Sequence, residues 1–388
     1  EMKIAKSVNR LGTEAVYNIF AKTKKLIRQG KEIVDLSLGQ SDFKSPKHAV
    51  DAAIKALKDG HHGYTLPNGI IECREAVSRK IKTLYRANID PKRIIIMPGG
   101  KPTMHYAISF FGESGAEIVY PDPGFPIYES MINFTGAKAI SYNMLENKDF
   151  SINPDKILSL INEKTRLLIL NNPHNPTGSF TEKKIIDKLA EGLKKFPNLA
   201  ILSDEVYDRL IFDKKEIPTL LSYPDLYDRL IVLNGWSKTY AMTGWRLGWS
   251  VWPDQLIDHV FKFCVNSHSC VNTPAQYGAI AALDGPEDHL NGMVKEFIVR
   301  RKLIVDGLRS LKGVECNFPG GSFFVFPNVE KTGMNGEEFT KKCLEKSGVA
   351  MIPGTAFGKF ATHNVRLNFA ISRENISKAI EKIDKILK

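Results

Sequence analysis

The sequence predicts an α/β fold, in which a large domain has a mostly parallel sheet covered by helices on both faces and a smaller α+β domain follows. Apolar runs such as RIIIM, RLLILNN and RLIVLNG alternate with helical stretches between residues 93 and 249, which is typical of parallel strands joined by helices. From about residue 285 the chain returns to short strands and helices. We expect an N-terminal arm and joining segment at 1–40, the large domain at 41–284 and the small domain at 285–388.

The composition is typical of a globular protein. Of the 388 residues, 43% are hydrophobic and 25% are charged, and no apolar run approaches membrane-spanning length. The start EMKIAKSVNR has no secretory h-region, so we expect a cytoplasmic protein without a membrane partner. Five cysteines form no CxxC pair, which favours reduced thiols over a disulfide framework or a metal site.

The net charge of +11 does not by itself indicate nucleic-acid binding. Lysines alternate with acidic residues in segments such as KKIIDKLAEGLKK, and the densest basic run, KTKKLIRQGK, contains no aromatic residue for base stacking. A solvated basic face is the better interpretation, and we expect no nucleic-acid partner.

The first elements are a basic helix within residues 1–35, a short strand IVDLSLG that ends at Gly39, and a helix with clear end signals. Ser45 is expected to cap this helix, with Pro46 in its first turn and Gly60 just past its end. The residues expected to face the core are Val50, Ala53, Ile54 and Leu57. The turn-rich loop HHGYTLPNG follows and carries Tyr64.

The next segment predicts a strand, a turn and a helix: RIIIM, PGG and KPTMHYAISFF. Gly99 and Gly100 allow backbone N–H groups to approach an anion closely at the start of this helix. The turn alone is weakly specific, because it matches neither a P-loop nor a dinucleotide-binding fingerprint. Further strands are expected at AEIVY, KAISYNM, RLLILNN, LAILSDE and RLIVLNG.

Several side chains follow the carboxyl ends of these strands, where α/β sheets bind their ligands. Phe125 follows one strand, Asn175 follows another, and Asp204 and Tyr207 follow a third. Each residue has a structural alternative: a core ring, an Asx turn or a helix cap. Because all of them follow strands of one sheet, we interpret them as parts of one site.

Lys238 follows the strand RLIVLNG, and Arg246 lies eight residues further on. The large apolar residues near this lysine are Trp236, Tyr240, Met242 and Trp245. Burial of an ammonium group is costly, and it lowers the pKa so that the amine becomes available for Schiff-base chemistry. The alternative is a lysine that lies over apolar surface and reaches water.

Arg366 lies between Val365 and Leu367 in an apolar strand near the end of the chain. A guanidinium group does not lose its proton, so in such a place it needs an anionic partner. That partner is either a structural carboxylate of the protein or the carboxylate of a substrate.

Together these motifs resemble those of the fold-type I pyridoxal-phosphate (PLP) transferases, in particular the class I/II aminotransferases of the aspartate aminotransferase family. SKTYAMTGWRLGW is similar to that family's lysine signature, NNPHNPTG to its NPTG loop and SDEVYD to its D-E-x-Y element. YTLPNG, PGGK, PDPGFPIY and NVRLNFA match as well, in family order over essentially the whole chain. The resemblance implies transfer of an amino group between an L-amino acid and a 2-oxo acid.

The resemblance also implies roles around pyridoxal 5′-phosphate. Lys238 forms a Schiff base with the cofactor and, once released, moves a proton between the substrate Cα and the cofactor C4′. Asp204 keeps the ring nitrogen protonated, and Phe125 stacks on the ring. Asn175 and Tyr207 hydrogen-bond the phenolic oxygen. The implied phosphate ligands are the backbone amides of Gly100 and Lys101 beside Gly99, the side chains of Ser237 and Arg246 and, from the second subunit of a homodimer with shared active sites, Tyr64.

For the substrate, the resemblance implies that Arg366 clamps the α-carboxylate, assisted by Asn175 and by the backbone near Gly39. Lys101 resembles a lysine that pairs with the distal carboxylate of aspartate or glutamate, which favours exchange with 2-oxoglutarate. Its alternatives are a phosphate contact or a solvent-facing lysine. The aromatic residues Tyr17, Phe20, Phe323 and Phe324 leave an aromatic or broad-specificity aminotransferase open. A PLP-dependent β-lyase is the further alternative.

Three positions depart from the family pattern. Gly235 replaces the hydroxyl residue that many relatives carry three positions before the lysine, so Ser237 would have to serve in its place. The segment QSDF follows Gly39 where many relatives have a Glu-Pro pair, which leaves the substrate contacts of that loop open. Pro102 stands where a glutamine is common.

Overall fold

A computed structural model describes residues 2–12, 14–213 and 216–388 of the chain, without the side chain of Glu14. The α-helices in these residues are α1 (Glu14–Arg28), α2 (Lys47–Lys58), α3 (Ile71–Tyr85), α4 (Lys101–Phe111), α5 (Pro126–Thr135), α6 (Pro154–Leu160), α7 (Lys183–Leu193), α8 (Ile257–Ser267), α9 (Thr273–Asp284), α10 (Asp288–Ser310), α11 (Gly336–Lys342) and α12 (Arg373–Leu387). The strands are β1 (Val34–Asp35), β2 (Ile94–Met97), β3 (Glu117–Asp122), β4 (Lys138–Asn143), β5 (Thr165–Asn171), β6 (Ala200–Asp204), β7 (Leu230–Gly235), β8 (Gly248–Val251), β9 (Phe324–Val325), β10 (Val349–Ala350), β11 (Ile352–Pro353) and β12 (Val365–Asn368).

The central sheet has seven strands in the order β2-β8-β7-β6-β5-β3-β4. Strands β4, β3, β5, β6 and β7 pair in parallel, whereas β8 is antiparallel to both β7 and β2. The predicted mostly parallel sheet is therefore confirmed. The apolar-run pattern does not predict β8, because its first two residues are the end of the glycine-containing lysine segment SKTYAMTGWRLGW.

The core of the central sheet forms two layers, one on each face. Ile94 and Ile96 of β2 pack in the layer that contains residues of α3, α7 and α9. Ile95 and Met97 of the same strand pack in the other layer, with residues of α4, α5 and α8. This alternation follows from the two-residue repeat of a strand, and it confirms helices on both faces of the sheet. Among the described residues, no helix combines the length and apolar character needed to cross a membrane.

The C-terminal strands form a small antiparallel sheet in the order β11-β12-β9, and α10, α11 and α12 contribute to the core around it. Strand β1 pairs in parallel with β10, with Val34 beside Val349, so the segment before residue 40 is joined to the C-terminal part of the chain. Gly285 and Pro286 separate α9 from α10. The division into domains at 1–40, 41–284 and 285–388 stays a prediction.

The N-terminus of α2 differs from its prediction. Pro46 occupies the N-cap position, and no side chain caps the helix. The Ser45 hydroxyl instead donates a hydrogen bond to the carbonyl of Ala241 (2.9 Å) and accepts one from the indole of Trp245 (3.0 Å). The prediction that Ser45 caps this helix is therefore wrong, because tertiary contacts with the lysine segment use its hydroxyl.

The buried face of α2 differs as well. Ile54 and Leu57, which were expected to face the core, are 46% and 56% exposed, whereas Ala49 and Ala56 are buried. α2 packs on α9 so closely that a Cβ added to Gly278 would lie 3.0 Å from the carbonyl oxygen of Ala49. Because small residues allow this approach, the larger side chains of α2 turn outward.

The carboxyl ends of β3, β5, β6 and β7 lie side by side at one edge of the central sheet. The loops that follow them carry Phe125, Asn175, Tyr207 and Lys238. Strand β2 runs in the same direction as β7, since both are antiparallel to β8, and it turns into α4 at this same edge. The fold therefore collects the predicted site segments in one place.

Gly248 of β8 lies against the turn between β2 and α4. A Cβ added to Gly248 would lie 2.3 Å from the carbonyl oxygen of Gly99 and 2.6 Å from its carbonyl carbon. Distances this short exclude any side chain at position 248 unless the paired backbones separate. The glycine is thus required by the close approach of two backbone segments.

Gly248→Ala should lower the free energy of unfolding by about 1–3 kcal/mol, because the added methyl group has only fixed backbone to displace. Urea unfolding of the variant and the parent measures the change. Gly244→Ala is the matched control, since no heavy atom lies within 4 Å of a Cβ built at that exposed position, and we expect a change within about 0.5 kcal/mol. Equal losses in the two variants would contradict this explanation.

Candidate active site

A cavity of about 570 Å³ opens at the carboxyl edge of the central sheet. Its wall comes from α1 and the segment near residue 39, from the loops after the central strands, and from the C-terminal part of the chain. The predicted site residues on this wall are Gly39, Gly100, Lys101, Phe125, Asn175, Asp204, Tyr207, Ser237, Lys238, Arg246 and Arg366. The structure therefore brings most of the predicted site together.

Lys238 lies three residues after β7 and points its amine toward the N-terminal segment, where it donates a hydrogen bond to the carbonyl oxygen of Gly39. The amine is 5.8 Å from the ring centre of Tyr207. Loss of water lowers the pKa of this amine to about 7, and the nearby charges of Arg366 and Arg246 act in the same direction. A large fraction of the amine is therefore neutral near pH 7.

Asp204 is the last residue of β6, and it is buried. Its carboxylate accepts hydrogen bonds from the phenol of Tyr128 and from the backbone N–H of Val206 (3.4 Å). Burial raises the pKa of Asp204 to about 6, while these two hydrogen bonds and the charge of Lys238 oppose that rise. A cation placed beside this carboxylate would hold it ionised.

Asn171, Asn175 and Tyr207 form the wall next to this carboxylate. The side chain of Asn171 accepts a hydrogen bond from the backbone N–H of Asn175 (2.9 Å) and donates one to the carbonyl of Asp204 (3.0 Å). These bonds tie the loop after β5 to the end of β6. Burial raises the pKa of the Tyr207 phenol above its ordinary value, so the hydroxyl stays protonated and able to donate.

Arg366 of β12 is a buried cation that has no ion-pair partner among the residues described. Its Nη1 donates to Oδ1 of Asn175 (3.0 Å) and its Nη2 to the carbonyl of Ser37 (2.8 Å), while Nε has no hydrogen-bond partner within the same residues. Burial lowers the pKa of the guanidinium to about 10. The structural carboxylate considered as one alternative from the sequence is therefore not found in this part of the chain.

Groups that bind anions line the same cavity. α4 begins at Lys101, directly after Gly100, so the first backbone N–H groups of this helix lack partners within the helix. Arg246 packs against Gly99, where an added Cβ would lie 2.1 Å from Nη2, and Gly99 has a positive φ of 89°. With Ser237, this set of donors suits a phosphate group.

The structure explains why position 235 departs from the family pattern and carries a glycine. A Cβ added to it would lie 2.8 Å from the carbonyl oxygen of Leu247 and 3.0 Å from the Cα of Gly248. Strand β8 thus passes too close to β7 for a side chain at this position. Ser237 lies on the cavity wall two residues further along this segment, as does a second hydroxyl residue, Thr243.

The open side of the cavity carries one cation among aromatic rings. Nζ of Lys101 donates to the hydroxyl of Tyr17 (3.3 Å) and lies 5.9 Å from the ring centres of both Tyr17 and Phe125. Lys101 is exposed, and Phe20 of α1 lines the cavity as well. Tyr64, by contrast, is 93% exposed and is not part of this wall.

The sequence profile of the aminotransferase class I and II family matches residues 31–383. The chain belongs to this family. A probable aspartate aminotransferase of Methanocaldococcus jannaschii is 39% identical over 361 residues, which cover 92% of this chain and 93% of that protein. The solved aspartate aminotransferase of Rhizobium meliloti has a TM-score of 0.94 at 27% identity, and the match covers 100% of this chain and 99% of that protein's chain. An aromatic aminotransferase from Pyrococcus horikoshii has a TM-score of 0.88 at 32% identity, and the match covers 94% of this chain and 98% of that protein's chain.

The protein is therefore an aminotransferase, and the family resemblance drawn from its motifs is confirmed. Its structural neighbours also confirm the fold class. The related proteins are named as transaminases, which favours transamination over the β-lyase alternative. The individual residue roles and the substrate stay proposals.

Sequence patterns did not predict three residues that contact this aminotransferase's site. Tyr128, which hydrogen-bonds Asp204, lies one helical turn beyond Phe125 on α5, so helical spacing could have found it. Asn171 ends β5, where the strand-end rule could have found it. Phe357 lines the cavity from a short turn, and no local pattern marks it.

In the cofactor-free aminotransferase, Lys238 should react faster with formaldehyde near pH 7 than the other lysines. With a pKa of about 7, about half of this amine is neutral at that pH, against roughly one part in 2,500 for an ordinary lysine. Reductive methylation at a series of pH values, read by peptide mass spectrometry, should show the rate rising with pH through a midpoint near 7. A midpoint near 10 would contradict the assignment.

Proposed function

We propose that this aminotransferase binds pyridoxal 5′-phosphate in its cavity and moves an amino group between aspartate or glutamate and 2-oxoglutarate. One observation carries the proposal: a single cavity joins an amine of lowered pKa, a buried carboxylate and a buried guanidinium without an ionic partner in the described residues. These are Lys238, Asp204 and Arg366. They suit an aldehyde, a protonated ring nitrogen and an amino-acid carboxylate respectively.

The remaining groups on the wall fit this cofactor. Phe125 offers a ring face, and Asn175 and Tyr207 offer hydrogen-bond donors for the phenolic oxygen. The proposed phosphate ligands are the backbone N–H groups of Gly100 and Lys101 at the start of α4, next to Gly99, together with the side chains of Ser237 and Arg246. When bound, the cofactor supplies an aldehyde that bonds reversibly to amines and a protonated ring that takes up electrons from the substrate Cα.

Lys238 is proposed to hold the cofactor covalently at rest and to carry a proton between the substrate Cα and the cofactor C4′ during turnover. A pKa near 7 suits both tasks, because the amine then accepts and releases a proton readily at neutral pH. The Gly39 carbonyl, which accepts a hydrogen bond from this amine, orients it toward the N-terminal side of the cavity. Tyr207 limits its contact with water.

Arg366 is proposed to bind the α-carboxylate of the substrate. Asn175 and the carbonyl of Ser37 hold the guanidinium in place, but both groups are neutral. A substrate carboxylate would therefore supply the negative charge that this buried cation lacks among the described residues. Two parallel N–H···O bonds to a carboxylate fix its orientation as well as its position. The bound substrate would thereby present its Cα to Lys238.

The side chain of the substrate would meet Lys101, whose charge supports an acidic amino acid. The Methanocaldococcus jannaschii relative is named a probable aspartate aminotransferase and the Rhizobium meliloti relative an aspartate aminotransferase, and both names agree with this choice. An aromatic or broad-specificity aminotransferase is the second candidate. Tyr17 and Phe20 on the cavity wall favour it, as does the relative from Pyrococcus horikoshii that is named an aromatic aminotransferase.

We further propose a cytoplasmic homodimer with shared active sites. Tyr64 is 93% exposed and lies outside its own cavity, which suits a residue that reaches the phosphate bound by a second subunit. Ile54, Leu57 and Leu66, which lie near it in sequence, also expose large apolar side chains, as interfaces between subunits do. Four of the five free cysteines are buried, which suits a reducing compartment.

Lys238→Ala should lower the transamination rate by at least about 10³-fold, because it removes both the covalent attachment and the proton carrier. The visible absorption band of the bound cofactor should be lost as well. Absorbance of the half-reaction with aspartate measures both effects. Lys195→Ala, at an exposed position two residues after the end of α7, is the control and should keep the parental rate. A Lys238→Ala variant that keeps its activity would refute the proposal.

Lys101→Ser should lower kcat/KM for aspartate and glutamate about 10–100-fold, as expected for loss of a charged hydrogen bond. The loss should be much smaller for phenylalanine and tyrosine. A panel of amino donors, each tested with 2-oxoglutarate and with pyruvate, measures this difference and identifies the preferred substrates. Equal losses for acidic and aromatic donors would instead assign Lys101 to the phosphate or to a structural role.

A further inference from the structure

Two aromatic rings flank the buried cation of Arg366. The guanidinium carbon lies 4.2 Å from the ring centre of Phe324 and 4.7 Å from that of Phe357. The two phenylalanines are 0% and 4% exposed, so these contacts are shielded from water. The face of an aromatic ring carries the negative part of its quadrupole and attracts a cation most strongly when both are desolvated.

We propose that Phe357 is a positioning residue that holds the Arg366 guanidinium ready for the α-carboxylate of the substrate. This inference rests on the proposed function, in which Arg366 binds that carboxylate. A ring stabilises the cation without a hydrogen-bond acceptor, so it does not compete for the N–H groups. The unpaired Nε of Arg366 then stays available to the substrate.

The position of Phe357 is set by the loop that follows β3. The backbone N–H of Gly124 donates to the carbonyl of Phe357 (2.9 Å), and the buried Asp122 carboxylate accepts a hydrogen bond from the N–H of Lys359 (3.1 Å). The same loop carries Phe125, which also lines the cavity. One set of contacts therefore links the proposed ring-stacking side of the site to its carboxylate side.

Phe357 is a better test of this idea than Phe324. The ring of Phe324 also packs against Tyr207, with centres 5.9 Å apart, so its replacement would disturb the cofactor side. Phe357 instead packs against Phe326, with ring centres 6.3 Å apart. Phe326 is 2% exposed and belongs to the same small apolar cluster, but none of the ring contacts described for Arg366 involves it. It is therefore a matched control.

The experiment compares Phe357→Leu with Phe326→Leu in the holoenzyme. Phe357→Leu keeps an apolar side chain but removes the ring face, so KM should rise roughly tenfold while kcat stays within about twofold of the parent. The rise should be the same for the best acidic and the best aromatic donor, because the α-carboxylate is common to both. Phe326→Leu should lose comparable thermal stability and change KM less than about twofold.

A rise in KM that is equal in the two variants, or a fall in kcat at constant KM, would overturn the inference. Phe357→Met, which is also apolar and has no ring, carries the same expectation if Phe357→Leu does not fold. Arg366→Lys distinguishes a failure of the carboxylate-binding role of Arg366 from a failure of the positioning role of Phe357. If it leaves KM unchanged, the carboxylate assignment itself fails; if it raises KM and Phe357→Leu does not, only the positioning role fails.

Discussion

The removal of water from two neighbouring cations is the constraint on which this aminotransferase site depends. Burial disfavours the charged forms of both Lys238 and Arg366, and the charge of Arg366 further lowers the pKa of the Lys238 amine. Their intrinsic basicities decide the outcome: the guanidinium stays protonated with a pKa of about 10, whereas the amine falls to about 7. The cavity therefore holds a nucleophilic amine beside a permanent cation, an arrangement that suits an amino-acid carboxylate next to reactive chemistry.

The fold creates this situation by joining segments that are distant in sequence. Strand β7 delivers Lys238, β6 delivers Asp204 and β12 delivers Arg366, while the carbonyls of Ser37 and Gly39 come from the segment that follows β1. β1 pairs with β10, which keeps this segment beside the C-terminal strands. Neither the central sheet nor the C-terminal part of the chain would bury both cations by itself.

Close backbone packing completes the site on its anion-binding side. β8 lies so near the turn of Gly99 that no side chain fits at Gly248, and it also excludes a side chain at Gly235. The antiparallel strand β8 thus fixes the turn before α4 and excludes a side chain at position 235, while Ser237 lies on the cavity wall two residues further on. A departure from the family pattern is in this way a consequence of strand spacing rather than of ligand chemistry.

The sequence by itself determined the order of most strands and helices, although not β8, together with the parallel sheet and most of the site, because apolar runs, turn residues and motifs such as SDEVYD are local patterns. It could not determine which face of α2 is buried, which groups the Ser45 hydroxyl hydrogen-bonds, or that aromatic rings rather than a carboxylate flank Arg366. These features depend on contacts between residues far apart along the chain, such as Ala49 with Gly278 and Arg366 with Ser37. Only the tertiary structure brings such groups close enough to decide between the alternatives.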